Sequence, residues 1–204
     1  MLAHAEVWLV DCRTVDDALL DALVHWLSAP ELARYGRFVR RERRRQFLIG
    51  RVLARQALGE LLGAAPDTLM IEEVAGHKPA LTGVDAQADF SISHSGLWVA
   101  CAVSVGAEVG LDIEVIDPSR DIAALATQAF GDERCAWLAA RPEATRLRDF
   151  YNLWSAQEAA IKLGAPAMQT IEFLHAELSV VLCCAGQLDS EPQLVTTTIG
   201  VSQA

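Results

Sequence analysis

The chain has 204 residues, of which 52% are hydrophobic and 22% are charged, and these fractions are typical of a folded protein with one domain or two small ones. Its formal net charge of −10 disfavours non-specific binding to nucleic acid, and no apolar run is long enough to predict a membrane span. Five cysteines without CxxC or CxxH spacing, and an N-terminus without a secretory signal pattern, favour a cytoplasmic protein with reduced thiols over a disulfide framework or a zinc site.

The first half of the chain predicts strands at both ends and helices between them. Ser28 and Pro30 have the positions of an N-cap and a first-turn residue, and Gly63 follows a helix with a broad apolar face. Alternating apolar and polar residues, such as Phe90 and Ser91, are typical of a hairpin strand. The elements in chain order are a strand over 5–10, a helix over 16–28, a helix starting at 28, a helix over 47–63, a strand and turn over 67–76, a loop or short strand over 77–81, and a hairpin over 88–104 that turns at 95–96.

The second half repeats the order of strand, helices and strands. Its elements are a strand over 108–117, helices over 121–164 with breaks near Gly131 and Pro142, and strands over 177–184 and 193–201. The pattern is weak just after Gly164. This order predicts an α+β fold in which two halves with similar layouts, 1–105 and 106–204, enclose a cleft.

Arginine is concentrated in one segment of an otherwise acidic chain. Between residues 34 and 55 only Glu42 is acidic, whereas nine residues are arginine: Arg34, Arg37, Arg40, Arg41, Arg43, Arg44, Arg45, Arg51 and Arg55. A guanidinium binds phosphate through two parallel hydrogen bonds, so the segment is a candidate phosphate site. The same composition equally suits a solvated helix face with internal salt bridges.

Asp112 and Glu114 are the sharpest chemical signal in the chain. They are two residues apart in a strand whose other face is apolar, so both side chains project from the same face. Two adjacent carboxylates repel each other unless a cation lies between them, and Mg²⁺ or Mn²⁺ suits such oxygen ligands. The alternative is a solvated strand face.

Three further segments carry residues suited to phosphate. Glu158 and Lys162 are four residues apart in the string WSAQEAAIKLG and therefore share one helix face. His94 lies at a strand end beside hydroxyl residues, and Lys78 lies in a loop restrained by proline. Each has an ordinary alternative, namely a surface ion pair, a structural histidine and a free surface lysine. If they converge in space with the carboxylates and the arginines, they form a Mg²⁺-assisted pyrophosphate site.

Four of these segments together resemble the Sfp-type 4′-phosphopantetheinyl transferase family. They are HKPAL, DFSISHSGLWVACAVS, VGLDIEVID and FYNLWSAQEAAIKLG, in the family's order and spacing, and the similarity covers about residues 34–164. The resemblance implies a pseudo-dimer of two similar α+β halves with coenzyme A (CoA) in the cleft. It also implies a Mg²⁺-dependent, monomeric enzyme that transfers 4′-phosphopantetheine from CoA to a serine of an apo acyl or peptidyl carrier protein and releases 3′,5′-ADP.

The resemblance further implies a role for each motif residue. Asp112, Glu114 and Glu158 would hold the metal ion, and Glu158, or a metal-bound water beside it, would deprotonate the serine. Lys162 would neutralise charge on the pyrophosphate and the leaving group. The other residues implied to bind CoA are Ser93 and His94 at its nucleotide, Arg44 and Arg51 with His94 at its 3′-phosphate, and Lys78 from the HKP loop.

The sequence departs from the family pattern in three places. Gln157 replaces a lysine before Glu158, His77 replaces the glycine before Lys78, and the segment after Gly164 lacks the expected basic and aromatic residues. An active transferase is the leading hypothesis. One alternative is a non-catalytic or weakly active homologue that binds CoA or a carrier protein, which Gln157 favours. Another is a metal-dependent phosphodiesterase of an unrelated fold.

The partner implied by the resemblance is an acidic helical carrier protein. A chain of charge −10 must then present a local basic or apolar patch to it, and the arginine segment is a candidate. We therefore expect charge reversal at Arg44 or Arg45 to weaken transfer more than a reversal outside the segment. We expect no membrane or nucleic-acid partner.

Overall fold

The computed structural model describes residues 3–73, 78–84 and 87–200. Within these ranges the first half of the chain contains β1 (His4–Asp11), α1 (Asp17–Leu23), α2 (Ala29–Arg37), α3 (Arg41–Leu62), β2 (Met70–Glu72), β3 (Ala80–Thr82), β4 (Ala88–Ser95) and β5 (Trp98–Val105). The second half contains β6 (Val109–Val115), α4 (Ile122–Ala129), α5 (Asp132–Ala139), α6 (Glu143–Leu163), β7 (Gln169–Leu174), β8 (Leu178–Cys184) and β9 (Leu194–Thr197). The turn expected before Lys78, including His77, lies outside the described residues.

Local sequence signals set the ends of the helices. Ser28 and Glu31 form a capping box at the start of α2, in which each side chain accepts a hydrogen bond from the other residue's backbone amide. Gly63 ends α3 in the left-handed conformation, with a φ of 64°. Helix α3 begins at Arg41 rather than at residue 47, because arginine is a good helix former and extends the apolar helix by a polar turn. No helix in the described ranges is long and apolar enough to cross a membrane.

The first sheet has the strand order β4-β5-β1-β9. Strand β5 pairs antiparallel with β4 and β1, whereas β9 runs parallel to β1 and places Leu194 opposite Val7. Helix α3 covers one face of this sheet through a core that includes Leu48, Val52 and Val99. Strand β9 thus returns from the second half of the sequence to the sheet of the first half, and the division at residue 105 remains a prediction.

The second sheet has the order β6-β8-β7, with both pairs antiparallel. Helix α6 packs on one face of it, where Ala159 and Leu163 of the helix form a small core with Cys183 of β8. Strand β7 is absent from the sequence prediction. Its alternation rests on Ile171 and Phe173, which are only partly buried because β7 is an edge strand, so the apolar pattern is short.

The two sheets pack face to face, and each carries its long helix on the outer face. Val7, Leu9 and Ala100 of the first sheet share a core with Leu111 and Leu182 of the second. The layers therefore follow the order α3, first sheet, second sheet, α6. This arrangement confirms the predicted α+β fold of two similar halves.

Candidate active site

A row of side chains from β4 joins the two sheets at their edges. Alternate residues of β4 accept hydrogen bonds from alternate backbone amides of β6, over distances of 2.7 to 3.2 Å. The acceptors are Asp89, Ser91, Ser93 and Ser95, and the donors are, in the same order, Val109, Leu111, Ile113 and Val115. These side chains satisfy amides on the edge of β6 and hold the two halves in register. We call this row the serine seam, although its first member is an aspartate.

The serine seam also fixes the two carboxylates of β6. Ser93 Oγ donates to Asp112 Oδ1 at 3.0 Å, and Ser95 Oγ donates to Glu114 Oε2 at 2.7 Å. Asp112 is only 5% exposed, and its second oxygen has no hydrogen-bond partner among the described residues. Burial raises the pKa of Glu114, and the charge of Asp112 raises it further, while the bond from Ser95 opposes the shift. Asp112 is therefore buried, Glu114 is half-buried, and both carboxylates are oriented by hydrogen bonds, which is not the environment of a solvated strand face.

Lys162 on α6 is the cation beside this pair. Its Nζ donates to Asp112 Oδ1 at 2.8 Å, to Ser93 Oγ at 2.9 Å and to the carbonyl oxygen of Leu111 at 3.0 Å. All three protons of the ammonium group are thus used. Among the described residues the ion-pair partner of Lys162 is Asp112, so the surface pair with Glu158 does not form here.

Gly110 explains how α6 comes so close to β6. A Cβ atom at this position would lie 2.1 Å from the carbonyl oxygen of Ala159 and 2.6 Å from the amide nitrogen of Leu163. The backbones of the strand and the helix are therefore in direct contact, which only glycine permits. This contact sets the distance between α6 and β6 and thereby brings Lys162 next to Asp112. Gly164 ends α6 in the left-handed conformation, as predicted.

Oxygen donors for a divalent cation are available at this point. Asp112 has an unpaired buried oxygen, Ser95 orients Glu114, and Glu158 lies partly buried one helical turn before Lys162. In the described ranges no three carboxylate, histidine or cysteine side chains already lie close enough together to hold a metal ion. The chemistry of the donors fits Mg²⁺ or Mn²⁺, and the three-residue ligand set remains a prediction.

Both lysines of the chain lie along β6. Lys78 donates to Asp89 and to the carbonyl oxygen of Val109, the latter at 2.7 Å. Together with Lys162 it lines a cleft of about 700 Å³, whose walls also include Pro79 and Ile92. Pro79 and Ile92 line a second cavity as well, so the two spaces adjoin and form a groove.

His94 lies in the second cavity, which has a volume of about 260 Å³. Arg43 Nη1 lies 3.0 Å from His94 Nδ1 and donates to Gln46 Oε1 at 3.1 Å. Burial lowers the pKa of His94, and the charge of Arg43 lowers it further. Other side chains that line the cavity are Arg34, Phe38, Phe47, Arg51 and Glu73.

The structure places the two arginines predicted to bind CoA in different surroundings. Arg51 lines the cavity of His94, whereas Arg44 lies over the ring of Tyr35, 4.2 Å from its centre, in a separate cavity. The arginine of the basic segment that contacts His94 is Arg43. Residues 43, 47, 50 and 51 share a helix face, and this periodicity was the available signal for Arg43.

Gln157, which stands where the family pattern has lysine, accepts a hydrogen bond from Arg134 at 3.2 Å. Arg134 lies on α5 and is exposed to solvent. A cation is therefore present next to position 157, although it comes from a different helix.

Comparisons with known proteins agree with this two-part architecture. A family model described as 4′-phosphopantetheinyl transferase, N-terminal, matches residues 15–106, and one described as the 4′-phosphopantetheinyl transferase superfamily matches residues 108–189. The chain is 30% identical to the 4′-phosphopantetheinyl transferase HetI of Nostoc sp. over 86% of this chain and 75% of the relative. It is 37% identical to the 4′-phosphopantetheinyl transferase AcpT of Salmonella typhimurium over 76% of this chain and 77% of the relative.

Two packed α+β halves, each matched by its own family model, define a phosphopantetheinyl transferase. The chain belongs to the 4′-phosphopantetheinyl transferase superfamily of enzymes. The resemblance inferred from the four sequence motifs is thereby confirmed.

Proposed function

We propose that the protein transfers 4′-phosphopantetheine from CoA to a serine hydroxyl of an apo acyl or peptidyl carrier protein and releases 3′,5′-ADP. The observation that carries this proposal is the contact of Lys162 with Asp112 and Ser93. It brings an ammonium group and an oriented carboxylate together at the junction of the two halves. Cleavage of a diphosphate needs cations at its oxygens and carboxylates for a bridging divalent ion, and this junction provides both kinds of group.

The groove offers suitable surroundings for both ends of the CoA nucleotide. The cavity at His94 provides three guanidinium groups, from Arg34, Arg43 and Arg51, which suit a phosphate monoester. The adjoining cleft provides Lys78 and Lys162, which suit the diphosphate. The 3′-phosphate would therefore bind near His94 and the diphosphate near the two lysines.

The proposed metal ligands are Asp112, Glu114 and Glu158, which would hold Mg²⁺ or, with the same donor chemistry, Mn²⁺. When bound, the ion neutralises charge on the diphosphate. Lys162 donates to the departing phosphate oxygen and stabilises the negative charge that develops there. Glu158 accepts the proton of the incoming serine.

The proposed protein partner is an acidic carrier protein. In the turn between α2 and α3 the side chain of Val39 is almost fully exposed, and exposed arginines flank it: Arg37, Arg40, Arg41 and Arg44. This basic patch with an apolar centre suits an acidic helix. Charge reversal is expected to weaken transfer at Arg44 and at Arg45. Because Arg45 forms an ion pair with Asp17, the reversal at Arg44 disturbs the fold less. The protein would act as a cytoplasmic monomer.

The experiment that tests the proposal is an intact-mass measurement. An apo carrier protein is incubated with the protein, CoA and Mg²⁺, with EDTA and the Glu158→Ala variant as controls. The expected result is a mass gain of one phosphopantetheine arm that is absent from both controls. No gain with several carriers, while CoA still binds, would contradict the proposal and make Gln157→Lys the next variant to measure.

A further inference from the structure

Two of the three arginines in the cavity of His94 already have a carboxylate partner from the chain itself. Glu73 forms an ion pair with Arg51 and another with Arg34. Both guanidinium groups also lie over the ring of Phe47, that of Arg51 at 5.1 Å from its centre and that of Arg34 at 5.4 Å. The carboxylate of Glu73 therefore lies between the guanidinium groups of Arg51 and Arg34. This position is also suited to a phosphate group.

The other acidic residue of this cluster has a different, fixed role. Glu31 is fully buried, accepts from both Nη atoms of Arg55 at 3.2 and 2.7 Å, and accepts the backbone amide of Ser28 at the start of α2. Its carboxylate lies 3.3 Å from Arg51 Nε. Displacing Glu31 would leave buried groups of two elements without partners.

Glu73, in contrast, is free to leave its position. Its side chain is 28% exposed, and Arg34 is 50% exposed, so both carboxylate and guanidinium can rotate into water. Arg51 is only 4% exposed, and its Nη1 has no hydrogen-bond partner among the described residues. The ion-paired cluster of Arg34, Arg51 and Arg55 with Glu31 and Glu73 has a net charge of +1. Without Glu73 it would be +2, which matches a phosphate monoester dianion.

We infer that Glu73 is a specificity-determining residue that competes with the phosphate monoester of CoA for Arg51 and Arg34. An anion must displace Glu73 to bind, and a ligand that lacks the monoester gains nothing from the displacement. This inference rests on the proposed function, because it takes CoA as the ligand of the groove. It predicts that neutralising Glu73 strengthens the binding of CoA and leaves dephospho-CoA unaffected.

The test is a calorimetric titration of CoA and of dephospho-CoA into wild type, Glu73→Gln and the matched control Glu72→Gln, with Mg²⁺ present. Glu72 is the preceding residue, is exposed, and forms no ion pair among the described residues. Glu73→Gln should bind CoA about tenfold more tightly than wild type, since two charge-assisted bonds to the arginines become available to the phosphate. Its affinity for dephospho-CoA should be unchanged, and Glu72→Gln should match wild type with both ligands.

Three results would overturn the inference. One is unchanged or weaker CoA binding by Glu73→Gln, which would make Glu73 a support for Arg51 and not a competitor. Another is equal strengthening for CoA and dephospho-CoA, which would place the effect away from the monoester. The third is the absence of CoA binding by wild type, which would refute the proposed function itself and is thus distinguishable from the first two. If thermal denaturation shows that Glu73→Gln does not fold, Glu73→Asp serves instead, with a smaller strengthening expected for CoA alone.

Discussion

Each of the two lysines in the chain donates to a carboxylate and to a backbone carbonyl of β6. The ammonium group of Lys162 donates hydrogen bonds to three different acceptors, and these bonds hold it beside Asp112. The contacts are polar throughout, and the side chain is 30% exposed on the cleft side. In the proposed reaction, a phosphate oxygen would replace one of these acceptors.

Replacement of Lys162 by methionine should lower kcat/KM for transfer by about 10²–10³, because one preorganised cation is lost from the proposed diphosphate site. Lys162→Arg should retain part of the rate. The measurement is the initial rate of carrier modification at saturating carrier concentration, normalised to folded protein. Arg146→Met is the control, since among the described residues the Arg146 side chain donates hydrogen bonds only to the carbonyl oxygen of Arg141. Equal rates for Lys162→Met and the control would show that this lysine takes no part in the reaction.

The lowered pKa of His94 should make stability depend on pH. The ordinary pKa of histidine is 6.5. As the pH falls through this value, His94 becomes protonated in the unfolded chain, whereas in the folded chain it becomes protonated only at a lower pH. The contribution of neutral His94 is therefore present above pH 6.5 and is lost as the pH falls from there toward the lowered pKa. The melting temperature of wild type should fall more than that of His94→Gln between about pH 7.5 and about pH 5.5. Parallel melting curves over this range would contradict the prediction.

At the scale of the elements, the helices and strands can be predicted from the sequence more reliably than the side chains that reach the candidate site. The capping box at Ser28, the helix end at Gly63 and the strand that carries Asp112 follow from local pattern. Helical periodicity groups Arg43 with Phe47 and Arg51, but which face of α3 meets β4 depends on tertiary packing. Strand β7 offers few apolar residues, so its existence depends on pairing with β8.

Gly110→Ala should lower the free energy of unfolding by about 3 kcal/mol, because the new methyl group would overlap the backbone of α6. The loss is measured by urea denaturation. Gly36→Ala is the matched control: its Cβ meets no atom within 4 Å, and alanine favours the helix by up to about 1 kcal/mol. If both variants are as stable as wild type, close contact between α6 and β6 does not hold the site together. Transfer should fail in Gly110→Ala even at temperatures where it is folded, since Lys162 moves away from Asp112.

At the scale of the whole molecule, the candidate site lies where the two halves meet. The first half contributes Ser93, His94 and Arg43, and the second contributes Asp112 and Lys162. The sequence predicted four of these five residues because their motifs match the family. The serine seam itself joins residues about twenty positions apart through side chain to backbone bonds, which neither propensity nor periodicity encodes. For the same reason, the pairing of Glu73 with Arg51 had no counterpart in the sequence pattern.

The most direct test of the account is the rate of transfer to one apo carrier by wild type, His94→Ala from the first half and Glu158→Ala from the second, with Glu72→Gln as the control. We predict that wild type and the control add one phosphopantetheine arm at equal rates. Both alanine variants should be slower by at least about 10², because each removes a group that is proposed to contact CoA or the reacting atoms. Wild-type rates in either alanine variant, or no transfer by wild type, would contradict the proposal that the two halves jointly form the active site.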